Sequence, residues 1–166
     1  MSHLEDLLAE YYEWGSHVVK CNTLVGRRQH GGWEMELDII AYSPENKIPH
    51  LEPSLDALCW TKRQERFKKK FNAGRKYIFK DMFPWLPPDT QIIQRAILVS
   101  AGEHRRTLAG AEVLSVDEMI GEIKQAVACK GPASRAAISE RYPLLRTIQL
   151  VVCGHYRLAD SNTAKE

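Results

Sequence analysis

The chain has 166 residues, 44% of them hydrophobic and 27% charged, with a formal net charge of +2. This is the make-up of one ordinary globular domain with room for a proper core, and the net charge alone points to no nucleic-acid partner. Cys21, Cys59, Cys129 and Cys153 are far apart and form no Cys-x-x-Cys pair, so neither a zinc site nor a disulfide framework is expected; reduced thiols in a cytoplasm are.

Acidic residues among the first leucines are unlike a signal peptide, and no apolar run reaches the roughly 20 residues a bilayer requires. Residues 3 to 14 are expected to form an amphipathic helix capped by Ser2, with Leu4, Leu7, Leu8, Tyr11 and Tyr12 as its apolar stripe. Gly15 ends it. Residues 17 to 25 read as a strand, and 26 to 32 as a basic, glycine-containing turn. Trp33 to Tyr42 is the next strand. Its segment from Leu37 to Ala41 is apolar on both faces apart from Asp38, as in an interior strand covered on both sides.

A turn over 43 to 46 leads to a third strand, Lys47 to Ser54. Pro53 cannot donate to a ladder, so this strand is expected to end or bend near Glu52. Residues 61 to 80 read as a long helix with Phe67, Phe71, Gly74 and Ile78 on one face. Its other faces carry nine cations against one acid, Glu65. That imbalance lacks the i,i+4 compensation of an ordinary surface helix. A loop from Phe83 to Pro88, a strand over 90 to 100, a basic loop over 102 to 110 and a short strand over 112 to 114 follow. Ser115 and Glu118 form a capping box for a helix to about Cys129. Two more helices are expected over 134 to 141 and 144 to 156, then a loose tail over 160 to 166.

The chemistry concentrates between residues 31 and 56. Period-two alternation puts Glu36 and Asp38 on one strand face, and His50, Glu52 and Ser54 on one face of the next. If the strands are neighbours, the carboxylates converge. Oxygen-rich clusters of this kind suit Mg²⁺ or Mn²⁺. Glu36 reads either as part of that cluster or as a rim residue paired with an arginine. His50 reads as a structural histidine, outside the metal set.

In Gly31-Gly32, Glu36-Leu37-Asp38-Ile39-Ile40-Ala41 and Leu51-Glu52-Pro53-Ser54, the sequence resembles the PD-(D/E)xK nuclease superfamily, over roughly residues 3 to 101. The resemblance implies a restriction-endonuclease-like α/β fold: an α-β-β-β-α-β core with a mixed central sheet flanked by helices, here with extra C-terminal helices over about 115 to 157, all within a single domain. It also implies a divalent-metal-dependent endonuclease acting on DNA, in repair or processing. Asp38 and Glu52 would be the metal ligands, with Glu10 as an added glutamate from the first helix. The family's lysine position holds Ser54, which supplies no positive charge. Lys70 is therefore the candidate for a lysine migrated onto the long helix. Arg27, Arg28, Lys62, Arg66, Lys69 and Lys76 are the candidate phosphate contacts. A homodimer is compatible with this reading, and no membrane partner is expected. The alternatives are a nuclease-fold module that binds DNA or RNA without catalysis, and a protein-interaction scaffold using the Phe83 to Pro88 loop.

Overall fold

The structure is a computed structural model that describes residues 2–43, 45, 47–87, 89–100 and 104–155. The expected tail over 160 to 166 lies outside the described residues, as do the start of the basic loop and the last residue of the final helix. Close packing groups the chain into two units, residues 1–120 and 121–166.

In the first unit, helix α1 (His3–Trp14) starts from a full capping box in which Ser2 and Glu5 each bond the other's backbone N–H. It buries Leu4, Leu7, Leu8, Ala9 and Tyr12 and packs against β1 (Val18–Arg27) and β2 (Trp33–Tyr42). These strands and β3 (Lys47–Ser54) form two antiparallel pairings. Helix α2 (Trp60–Tyr77) then crosses over to β4 (Gln91–Leu98), which runs parallel to β3. Two short strands, β5 (Thr107–Leu108) and β6 (Ala111–Ser115), complete a mixed six-stranded sheet of order β1-β2-β3-β4-β6-β5. The protein is thus of the α/β class, with helices packed on a mixed sheet.

Helix α2 lies over the sheet with its predicted apolar face inward. Phe67 and Phe71 join Ala96, Leu98, Leu108, Ala111 and Val113 in one core cluster. Ala73, Tyr77 and Ile78 join Val25, Leu37, Ile40 and Ile48 in another. No helix among the described residues is long and apolar enough to cross a membrane.

In the first unit the structure departs from the expected elements at three main places. The long helix is α-helical only to Tyr77 and continues as a π-helical segment, Ile78–Met82, closed by the Phe83 N–H donating to Ile78 O at 2.9 Å. β3 does not end near Glu52: it runs in parallel register with β4 from Lys47 to Ser54, Pro53 standing opposite Ile97. A proline's φ is compatible with extended backbone and withholds one donor only, so residues on both sides can keep the pairing. The basic loop contains β5, which turns back onto β6 through Ala109 and Gly110, both at positive φ. In the loop after the π-helical segment, Phe83 is buried and Trp85 is 69% exposed.

In the second unit, the helix expected over 134 to 141 is only one turn, α4 (Ala133–Ala136). The backbone beyond it bonds to a side chain instead. Buried Gln149 of α5 (Pro143–Val152) accepts from the Ile138 N–H at 2.9 Å and donates to Gly131 O and Ala136 O at 2.7 and 2.9 Å. Helix α3 (Val116–Lys130) begins in the first unit after Ser115, whose hydroxyl and N–H complete the expected capping box with Glu118, and runs into the second.

Candidate active site

The β2–β3 ladder is short. Ile39 pairs with Leu51 and Ile40 with His50, while the β1–β2 ladder continues as far as Arg27 and Trp33. At the opening, the Asp38 N–H meets the Glu52 carboxylate, 3.3 Å from Oε1. Because Ile40 stands opposite His50, the even-numbered residues of both strands share one sheet face. Asp38, His50, Glu52 and Ser54 are therefore together beneath α2.

Lys70 comes down from that helix between the two carboxylates. Its Nζ lies 2.5 Å from Asp38 Oδ1 and also donates to Glu52 Oε2. The Glu52 side chain is 1% exposed, while Asp38 and Lys70 keep 15% and 11%. Access from solvent is consequently through the Asp38 and Lys70 side alone. Burial, then the hydrogen bond and repulsion from Glu52, push the Asp38 carboxyl up to about 7 against the opposing pull of Lys70. Burial also works against the Lys70 ammonium, but the two carboxylates outweigh it and hold its pKa above the usual lysine value. Two carboxyls share one ammonium, so Asp38 titrates near neutrality and not in the usual carboxylate range.

Glu52 is held from behind. His50 Nε2 lies 2.8 Å from Glu52 Oε1, and Gln94 Nε2 lies 3.0 Å from His50 Nδ1. This fixes the tautomer: Nε2–H donates to the carboxylate and Nδ1 accepts from the amide. The second Gln94 N–H donates to Phe71 O at 2.9 Å, and its carbonyl accepts from Arg75. Burial, followed by the nearby Lys70 charge, pushes the His50 imidazole down to about 3, so it is neutral. The helix leaves space for it. A Cβ at Gly74 would lie 2.5 Å from His50 Nδ1, closer than real carbon contacts allow.

The Ser54 hydroxyl donates to Asp56 Oδ2 at 2.5 Å. Asp56 also accepts from Arg66 at 2.7 Å and from Arg63 Nε at 3.4 Å. Arg63 is buried, and its remaining nitrogens donate to Ser100 O and Asp56 O at 2.8 and 2.6 Å.

Of the residues singled out in the sequence, the structure brings Asp38, Glu52 and Lys70 to one point. Glu10 is half-buried on α1. Arg27, Arg28, Lys62, Arg66, Lys69 and Lys76 are all exposed. Arg66 is paired with Asp56, and Lys76 with Glu34 at 3.2 Å. The sequence marks His50 as a structural histidine and Gly74 as part of the inward helix face, and it gives Gln94 no site role. A polar Gln94 inside an apolar strand and a glycine within an apolar helix stripe were the available signals.

Among the described residues no three His, Cys, Asp or Glu side chains form a ready-made metal cage. The donor chemistry nevertheless fits a Mg²⁺-like ion, which commonly takes only one or two protein carboxylates and fills its other positions with water and substrate phosphate. Asp38 and Glu52 also already converge on a single positive charge. The chain matches no family model and no curated protein sequence.

Proposed function

We propose that the protein is a divalent-metal-dependent nuclease that hydrolyses phosphodiester bonds in DNA, with Asp38 and Glu52 as metal ligands and Lys70 as the positive charge that Ser54 does not supply. The observation that carries this reading is the Lys70 Nζ in contact with both carboxylates, on a face where the β2–β3 ladder opens. Order α1-β1-β2-β3-α2-β4, with two antiparallel pairings and a helical crossover, is what the restriction-endonuclease-like core calls for and supports the finer fold assignment.

Asp38 and Glu52 would hold a Mg²⁺ or Mn²⁺ ion, which would supply a more acidic bound water and charge stabilisation for the leaving oxygen. His50 keeps the Glu52 carboxylate in place through Oε1. Lys70 offsets negative charge that develops on the phosphate. Lys62, Lys68 and Lys69, exposed on α2, supply phosphate contacts. Four free cysteines accord with a reducing cytoplasm. The test is incubation with single-stranded, duplex and branched DNA in Mg²⁺ or Mn²⁺. Metal-dependent cleavage that Asp38→Ala abolishes is expected, and intact substrate under every condition would defeat the proposal.

A second reading has its own support. Lys70 bonds both carboxylates, and no buried side-chain nitrogen or oxygen among the described residues lacks a partner. A triad so completed has its buried polar atoms satisfied without a metal, as in a nucleic-acid-binding module without catalysis. Salt-sensitive DNA binding with no cleavage would select this reading.

A further inference from the structure

A second feature lies along the same strand. An open groove of about 440 Å³ is lined by Leu24, Gly26, Arg27, Trp33, Tyr77, Lys80 and Asp81. Trp33 is 43% exposed and Leu24 45% exposed. Within the lining, backbone and ring approach closely: a Cβ at Gly26 would fall 2.7 Å from the Tyr77 ring. Asp81 is the acid of the lining, and its carboxylate accepts the Gly26 N–H at 2.9 Å. Arg27 and Lys80 are exposed, and Arg28 is close enough to act on the Glu34 carboxyl. The lining therefore combines an accessible indole with cations, the combination that binds unpaired nucleotides by stacking and phosphate attraction.

Its position is also informative. Leu24 stands opposite Glu36 in the β1–β2 ladder, and Glu36 shares the sheet face of Asp38. Trp33 and Asp38 are separated along β2 by five residues, about 17 Å of extended backbone. Five is an odd spacing, so alternation sets the Trp33 side chain on the sheet face opposite Asp38, and the groove is a site separate from the carboxylates along the same strand.

We infer that this groove is a subsite for a single, unpaired nucleic-acid strand, with Trp33 stacking on one base and Arg27 and Lys80 contacting the flanking phosphates. The inference rests on the nuclease reading only for the identity of the substrate as DNA. Glu36 is exposed between the groove and Asp38, and its charge opposes the passage of phosphates.

The test measures binding of a labelled oligothymidylate of about a dozen nucleotides and of a blunt duplex, in EDTA so that cleavage is silent. Trp33→Ala is expected to weaken single-strand binding roughly 5- to 100-fold, the range for one base on one aromatic ring, with little change for the duplex. Trp33→Phe restores most of the loss, which excludes misfolding as its cause. Arg27→Ala with Lys80→Ala lowers the salt slope by about 0.7 per cation, and Glu36→Gln tightens binding. Single-strand affinity unchanged by Trp33→Ala, or lost equally for the duplex, overturns the subsite. The two readings separate cleanly. Trp33-dependent binding without cleavage in Mg²⁺ leaves the groove standing and removes the nuclease, whereas Asp38-dependent cleavage with unaltered Trp33→Ala binding does the reverse.

Discussion

Lys70 and Asp38 are 32 positions apart, on a helix and a strand, yet Lys70 Nζ lies 2.5 Å from Asp38 Oδ1. The same ammonium reaches Glu52 on the next strand. Removing it leaves two half-buried or buried carboxylates to face each other. Lys70→Met should therefore cost about 3 kcal/mol of stability at pH 8 and lower any cleavage at least about 100-fold. Urea denaturation and a cleavage assay check both. Unaltered cleavage by a folded Lys70→Met protein would remove the lysine from the site.

His50 is a positioning residue in this scheme, acting through Glu52. Gly74→Ala changes no polar group but drives a methyl into the imidazole. Both Gly74→Ala and His50→Ala are expected to weaken Mn²⁺ binding about 10- to 100-fold, as disturbed supporting shells do. Isothermal titration measures this apart from stability. His50→Gln, which can still donate to Glu52, should recover part of the affinity. Equal Mn²⁺ affinity in all three variants would reduce His50 to a packing residue.

The perturbed groups respond to pH with opposite signs. Asp38 moves from an ordinary 3.8 to about 7 on folding. The folded state binds its proton more tightly, so this contribution is full below the unfolded value and is lost as pH rises toward 7. His50 moves from 6.5 to about 3. The folded state resists its proton, so that contribution is full above the unfolded value and is lost as pH falls toward 3. Between about pH 4 and 6.5 the two slopes, each at most about 1.4 kcal/mol per pH unit, oppose one another. Asp38→Asn removes one of them. Its unfolding free energy should rise with pH across this window more steeply than that of the wild type, and parallel curves would show that the two groups do not titrate as assigned.

The cations of α2 divide into two kinds. Arg63 is 5% exposed, with its guanidinium donating to Asp56 and Ser100. Arg63→Met strands these acceptors and should destabilise the fold by about 2–4 kcal/mol. Lys62→Ala and Lys69→Ala should change stability by less than about 0.5 kcal/mol while each lowers the salt slope of DNA binding by roughly 0.7 to 0.9. Thermal melts and anisotropy titrations at several salt concentrations distinguish the two. A stable Arg63→Met protein, or salt slopes unmoved by the lysines, would contradict this division.

The strands of the first unit were legible in the residues because alternation is local. Two residues span one repeat, so the shared face of Asp38 with Glu36, and of His50 with Glu52 and Ser54, follows from spacing alone. The inward face of α2 was legible for the same reason, from Phe67, Phe71, Gly74 and Ile78. Strand boundaries around Pro53 and the short pairing of Thr107 and Leu108 were not, since a neighbouring strand supplies the energy that holds such segments extended. The convergence at the site was decided only in three dimensions. Asp38 and Glu52 become neighbours because Ile39 and Ile40 pair with Leu51 and His50 and the ladder then opens. Which of the eight α2 cations meets them depends on how that helix is rotated over the sheet, and the packing of Phe67 and Phe71 sets that rotation. Spacing along a chain specifies which side chains share a face, but contact between faces arises only when the hydrophobic core brings them together.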